Sequence, residues 1–230
     1  STRLAMLVSI NGILRRIPKA PESLVEAYAK SIKKMKESVQ QIADKNELSA
    51  RERNLYMKWE DILKLDFSSI DPKTQDLISC YLLFPPRRLM DYRLMKWAPA
   101  SSASTLSTEY NWLVVDAVSG VMTFIFNRYK TAKRYNQQRF DVPKDLAAIL
   151  MGRVQCTLPL TELLFVKSEN SNISAIVRSA FEEISGKPVG VNILRHSFIS
   201  YLNHSGAFDS VARRKEIALK MAHSITTQML

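Results

Sequence analysis

The residues able to do chemistry in this chain fall in a few short stretches rich in cations. "VNILRHSFISYL" (191–202) sets Arg195 and His196 inside an apolar pattern at helical spacing, with Asn192 one turn before Arg195. Leu194, Phe198 and Tyr201 or Leu202 share the face that turns inward, so Arg195 stands beside a core. A guanidinium there needs an anion, either a carboxylate or a phosphate. "PPRRLMDYRLMKW" (85–97) puts Asp91 three residues after Arg88, within reach of its guanidinium; the plainer alternative is a routine surface ion pair. "NRYKTAKRYNQQRFDVP" (127–143) gathers Lys130, Lys133, Arg134 and Arg139 in a strand–turn–strand segment. Such a hairpin is either a solvated sheet edge that resists aggregation or a surface that meets a polyanion. Lys33 and Lys34 in "KSIKKMK" (30–36) suit a solvated helix face as well as a DNA backbone. His223 in "MAHSITTQML" (221–230) follows an apolar helical run, where a histidine is more often a cap or a core group than a catalyst.

Elements of two periods must hold these groups. Residues 1–66 read as helical: one helix to about Arg16, stopped near Pro18, a second from about Pro21, and a third after Ser49 in "SARERNLYMKWEDILKL". "DFSSIDP" (66–72) reads as a hinge, which divides a helical N-terminal module, 1–68, from a second domain, 69–230. In that domain "KTQDLISCYLLF" is a buried helix ended by Pro85 and Pro86, and "APASSASTLST" (98–108) is a flexible loop. "NWLVVDA", "GVMTFIFNRYK" and "QRFDVP" are β-branched or aromatic runs between turns and predict a small antiparallel sheet. Helices resume in "KDLAAILMGRV", "ISAIVRSAFEEI", "NILRHSFISYL" and "VARRKEIALKMAHS". The expected class is α+β, mainly helical.

The bulk properties bound the partners. Lys and Arg number 33 against 22 Asp and Glu, a net charge of +11, and nucleic acid is the commonest polyanion for such a balance. Hydrophobic residues make up 46%, enough for a real core. Cys80 and Cys156 lie in no metal-ligand spacing and read as buried thiols of a reducing, intracellular compartment. Arg3, Asn11, Arg15 and Arg16 interrupt the apolar opening short of the ~20 residues a membrane span needs, so a soluble protein is expected.

Taken in order, Arg88, Lys130, Asn192 with Arg195, and His223 resemble the layout of the tyrosine recombinases, the phage-integrase-like DNA strand-exchange enzymes. The likeness spans about residues 69–230. It rests on Arg88 with Asp91 and Trp97 beyond it, on Lys130 (or Lys133) before a strand closing in Val-Pro, on "LRHSF", and on "MAHSITTQ". The resemblance implies a catalytic domain that cleaves and rejoins DNA through a 3′-phosphotyrosyl link, with no metal or other cofactor. It makes Arg88 and Arg195 the groups that neutralise the phosphorane, His223 a donor to the same phosphate, and Lys130 the acid for the departing 5′ oxygen. Asp91 and His196 are supporting residues. Arg87, Lys133, Arg134, Arg139, Lys33 and Lys34 are expected to touch DNA. Double-stranded DNA and further copies of the chain, as a dimer or tetramer, are the implied partners.

Two departures accompany the likeness. Asn192 stands where the family usually has histidine, and an amide donates a hydrogen bond but takes no proton. The family's nucleophilic tyrosine follows the second histidine by roughly eight or nine residues, which places it just beyond Leu230. Tyr81 and Tyr201 are poor substitutes. A non-cleaving DNA-binding relative and a type IB topoisomerase are the alternatives.

Overall fold

Short polar side chains start several helices of the described residues, and prolines mark the breaks after the helices that end at Leu14 and Leu83. A computed structural model of the protein describes residues 2–18, 20–44, 50–157 and 162–222. They form two compact units that part between residues 49 and 50. In the first, α1 (Thr2–Leu14) and α2 (Glu22–Asp44) pack as a helical hairpin on either side of Pro18 and Pro21, with Ile32 buried and Lys33 and Lys34 exposed. No helix among the described residues is long and apolar enough to cross a membrane.

The second unit opens with α3 (Ala50–Leu55) and α4 (Trp59–Ile62). The division therefore falls earlier than the expected 68/69, and packing gives the reason. Trp59 and Ile62 are 3% and 0% exposed in the main core, and the Trp59 ring meets Phe198 edge-on at 5.1 Å. Ser197 Oγ donates to the Met57 carbonyl at 2.6 Å. "DFSSIDP" is then an internal loop, anchored by buried Ile70 and by Phe67 against Phe181. Asp71 caps α5 (Pro72–Leu83) by accepting from the Thr74 N–H, and Pro72 fills the first turn, where an absent N–H costs nothing. Phe84 is extended because Pro85 follows it.

After α6 (Leu89–Arg93) come β1 (Met95–Pro99), β2 (Asn111–Val115) and β3 (Met122–Phe126), then α7 (Ala132–Tyr135) and β4 (Gln138–Asp141). They make one sheet in the order β1-β2-β3-β4. The sheet is mixed rather than antiparallel: β1 runs parallel to β2, in register from Met95 with Asn111 to Pro99 with Val115, and the other two pairs are antiparallel. The link between β1 and β2 is held, not loose. Leu106 and Ala103 pack on the cluster of Ala98, Trp112, Val114 and Ile125, and Trp112 Nε1 donates to the Ser107 carbonyl at 2.8 Å. Burying that small patch is what lets so short a link return the chain to a parallel start.

Four helices complete the unit: α8 (Lys144–Thr157), α9 (Ile173–Ser185), α10 (Val191–His204) and α11 (Val211–Lys220). Asn172 and Ser210 cap α9 and α11 with side-chain acceptors. Gly186 ends α9 at φ 71, a left-handed conformation that glycine adopts without strain. The core behind the sheet is a lattice of rings in which Tyr92 meets Tyr81, Phe126 and Phe165 edge-on. Such contacts each add about 0.5–1.5 kcal/mol beyond the area they bury. The class is α+β and mainly helical, as expected.

Candidate functional site

Two adjacent arginines part company at the α5–α6 connection. Arg88 caps α6 with extended backbone (φ −79, ψ 156), and neighbouring side chains on extended backbone leave from opposite sides. Arg87 goes inward and is 0% exposed. Its Nε donates to Asp91 Oδ2 at 2.7 Å, Nη2 to Gln138 Oε1 at 2.9 Å and Nη1 to the Lys220 carbonyl at 2.6 Å. The guanidinium lies 3.8 Å over the Phe126 ring. Arg87 is thus not a DNA contact, because reaching solvent would break three charge-assisted bonds. Asp91 likewise holds Arg87 and not Arg88, since the four-residue spacing carries the inward guanidinium onto the carboxylate.

Arg88 takes the other side and lines a cleft of about 680 Å³ with Lys130, Lys133 and Asn192. Four residues singled out from the sequence meet there. Leu89, Met90, Leu94 and Val191 form its apolar wall. Arg88 Nε is buried and has no hydrogen-bond partner among the described residues. Asn192 is exposed on the first turn of α10, whose cap is Gly190 and offers no side-chain acceptor. The opening N–H groups of that helix are therefore uncapped by a side chain beside the cleft, where the helix dipole favours an anion.

Lys130 lies in the turn after β3, four residues past the strand end. The turn is pinned by Asn111, which is fully buried and uses its whole amide. Nδ2 donates to the carbonyls of Asp91 and Arg128 at 2.7 and 2.9 Å, and Oδ1 accepts from the N–H groups of Asn127 and Arg128, both at 2.8 Å. Lys133 follows on α7, which Tyr129 steadies by donating to the Asn136 carbonyl.

Arg195 is 5% exposed and sits behind the cleft, not in it. Its Nη1 donates to the Pro86 carbonyl at 2.7 Å, and both terminal nitrogens lie 3.4 Å from the Met221 carbonyl. Burial first, and then the charge of Arg88, push its guanidinium down to about 9. Carbonyl dipoles, and not an anion, are the contacts the described residues give it. His196 is half-buried, and burial holds its imidazole below the ordinary value while Glu52 pulls the other way.

Arg134 and Arg139 are exposed outside the cleft, with Arg139 Nε donating to Gln137 Oε1 at 2.9 Å. Lys33 and Lys34 belong to the first unit. His223 and the side chain of Cys156 lie outside the described residues. Cys80 is a buried free thiol, raised well above its ordinary pKa by burial. Tyr81 is 0% exposed, and burial raises its phenol well above the usual range, so it has no route to a substrate. Tyr201 is half-buried against the core. Among the described residues no three His, Cys, Asp or Glu side chains are grouped as metal donors.

Three residues at the site went unnoticed in the sequence: Asn111, Gln138 and Arg128. Asn111 is the polar residue that opens "NWLVV", a strand otherwise made for burial, and a polar side chain at such a position signals a fixed hydrogen-bond role; Gln138, the buried residue of the mostly exposed "QRFD", carries no such signal. Comparison with protein families, curated proteins and solved structures finds no match to this chain.

Proposed function

We propose that the second unit binds a DNA phosphodiester in the cleft and acts as the catalytic domain of a tyrosine recombinase or integrase. The observation that carries this reading is the buried, unpartnered Nε of Arg88, in a cleft that also gathers Lys130, Lys133 and Asn192. A buried donor left unpaired costs about 1–3 kcal/mol, and a phosphate oxygen would remove that cost. The uncapped start of α10 and the +11 net charge favour the same class of ligand. A guanidinium fork, an ammonium and an amide lining one cleft suit tetrahedral phosphate oxygens better than a single carboxylate.

In the proposed reaction a tyrosine oxygen attacks phosphorus and the bond to the 5′ oxygen breaks. Arg88 stabilises the charge on the non-bridging oxygens, with the Arg195 cation behind it, and Lys130 gives its proton to the leaving 5′ oxygen. The phosphotyrosyl link conserves the bond energy for rejoining. Asn192 in the cleft favours a second reading, a relative that binds DNA without cutting it, because an amide cannot relay a proton.

A nicked duplex that traps the covalent adduct tests both. Where an adduct forms, Arg88→Ala should abolish it while leaving most duplex affinity, because one phosphate contact among many is lost. Lys130→Ala should slow cleavage about 10²-fold or more, and a 5′-phosphorothiolate, whose leaving group needs no proton, should restore it. Rescue of Lys133→Ala instead would move the acid to Lys133. DNA binding with no adduct would select the second reading.

A further inference from the structure

We propose that Arg87 is a positioning residue for this cleft: its buried guanidinium locks the peptide that carries Arg88 to the ends of β4 and α11, and so decides where Arg88 meets a phosphodiester. The proposal rests on the phosphodiester reading of the cleft.

The geometry is that of a clamp made by two arginines from distant parts of the chain. Arg87 holds the Lys220 carbonyl at 2.6 Å, and Arg195 lies 3.4 Å from the next one, that of Met221. These carbonyls close the C-terminal end of α11, where the helix dipole is negative and welcomes cations. Arg195 also holds the Pro86 carbonyl at 2.7 Å, immediately before Arg87. The segment 86–87 is thereby gripped at its backbone by one guanidinium and through its own side chain by the other. Arg88 follows on extended backbone, so once Arg87 is locked inward, the Arg88 side chain must leave toward the cleft.

Stability alone does not explain the arrangement. Replacing a whole buried ionic network by apolar groups is often neutral or stabilising, so such a network is weak support for a purely structural role. What it supplies here is direction. Asp91, Gln138 and Lys220 present acceptors from three elements to one planar fork, stacked on Phe126. A lysine at this position keeps the charge but cannot serve three acceptors in one plane.

That difference supplies the test. Arginine side-chain ¹⁵N NMR follows the Arg88 Nε–H signal, assigned with Arg88→Lys, as the dinucleotide dTpdT is titrated into the 230-residue chain. In the unchanged protein the signal should move on titration. In Arg87→Lys the dinucleotide affinity should fall by about tenfold or more and the Arg88 response should shrink, while binding of long duplex DNA, which spreads over many phosphates, changes by less than about threefold. A merely structural role would lower the melting temperature and leave the Arg88 response of the folded protein intact; that result overturns the proposal. So does full function of Arg87→Lys, which would make Arg87 a charge and not a fork. If Arg87→Lys does not fold, Gln138→Leu removes one of the fork's three acceptors, along with a long Nε2 contact to the Leu219 carbonyl at 3.5 Å, and should weaken the dinucleotide by about threefold. An unchanged affinity in Gln138→Leu overturns the proposal as well. No movement of the Arg88 signal in the unchanged protein sinks the phosphodiester reading itself, and the positioning role with it.

Discussion

His196 follows Arg195 on α10, and its imidazole is held below the ordinary value. Burial and the neighbouring Arg195 oppose its protonation, and Glu52 favours it, with a net lowering from 6.5. The folded state therefore binds this proton less readily than the unfolded chain does. Stability from a neutral His196 is complete above about pH 6.5 and is lost as pH falls through that value toward the lower folded one. Melting temperatures measured from about pH 8 down to about pH 5 should drop more steeply for the unchanged protein than for His196→Gln. Parallel curves would mean that the imidazole is solvated in the folded state. Arg195 adds a second influence at high pH. Its guanidinium, held down to about 9, would be drawn back up by an anion placed near Arg88.

At the scale of elements, the turn from Asn127 to Thr131 decides whether Lys130 reaches the cleft. Asn127 Nδ2 ties it to the Tyr110 carbonyl at 2.8 Å, and Asn111, at the start of the neighbouring strand, holds its backbone. Its four hydrogen bonds satisfy two backbone N–H groups and two carbonyls, one of the bonds buried and three partly so. Asn111→Ala leaves those groups unpaired and should cost about 2–4 kcal/mol in denaturant unfolding. It should also free the turn, raising amide exchange at Asn127 and Arg128 above that of β3. A loss below about 0.5 kcal/mol would show that the turn holds without it.

Across the whole molecule, the short helices α3 and α4 belong with the second unit although they precede the loop that resembles a linker. Trp59 closes that unit's core against Phe198 of α10, the helix that bears Asn192 and Arg195. Trp59→Ala should destabilise the second unit by about 3–5 kcal/mol, read from its own unfolding transition in residues 50–230. A unit that began at residue 69 would be indifferent to the change. Removing residues 1–49 should leave that transition in place, since the two compact units part there.

The sequence by itself determined the class and most of the elements. Helical and strand periods, the Asp71-Pro72 start, the Pro85-Pro86 stop and the capping Asn172 and Ser210 are short-range signals, and the elements they specify formed. It also named four residues that share one cleft: Arg88, Lys130, Lys133 and Asn192. It could not say which of two adjacent arginines turns inward. That choice depends on acceptors 51 and 133 residues away, Gln138 and the Lys220 carbonyl, which become neighbours only when the sheet and α11 close on the α5–α6 connection. The parallel pairing of β1, the grip of Arg195 on the Pro86 carbonyl and the place of Trp59 are of the same kind. Pattern along a chain reports what a residue does to its near neighbours, whereas a buried charge settles where distant backbone and side-chain acceptors happen to converge.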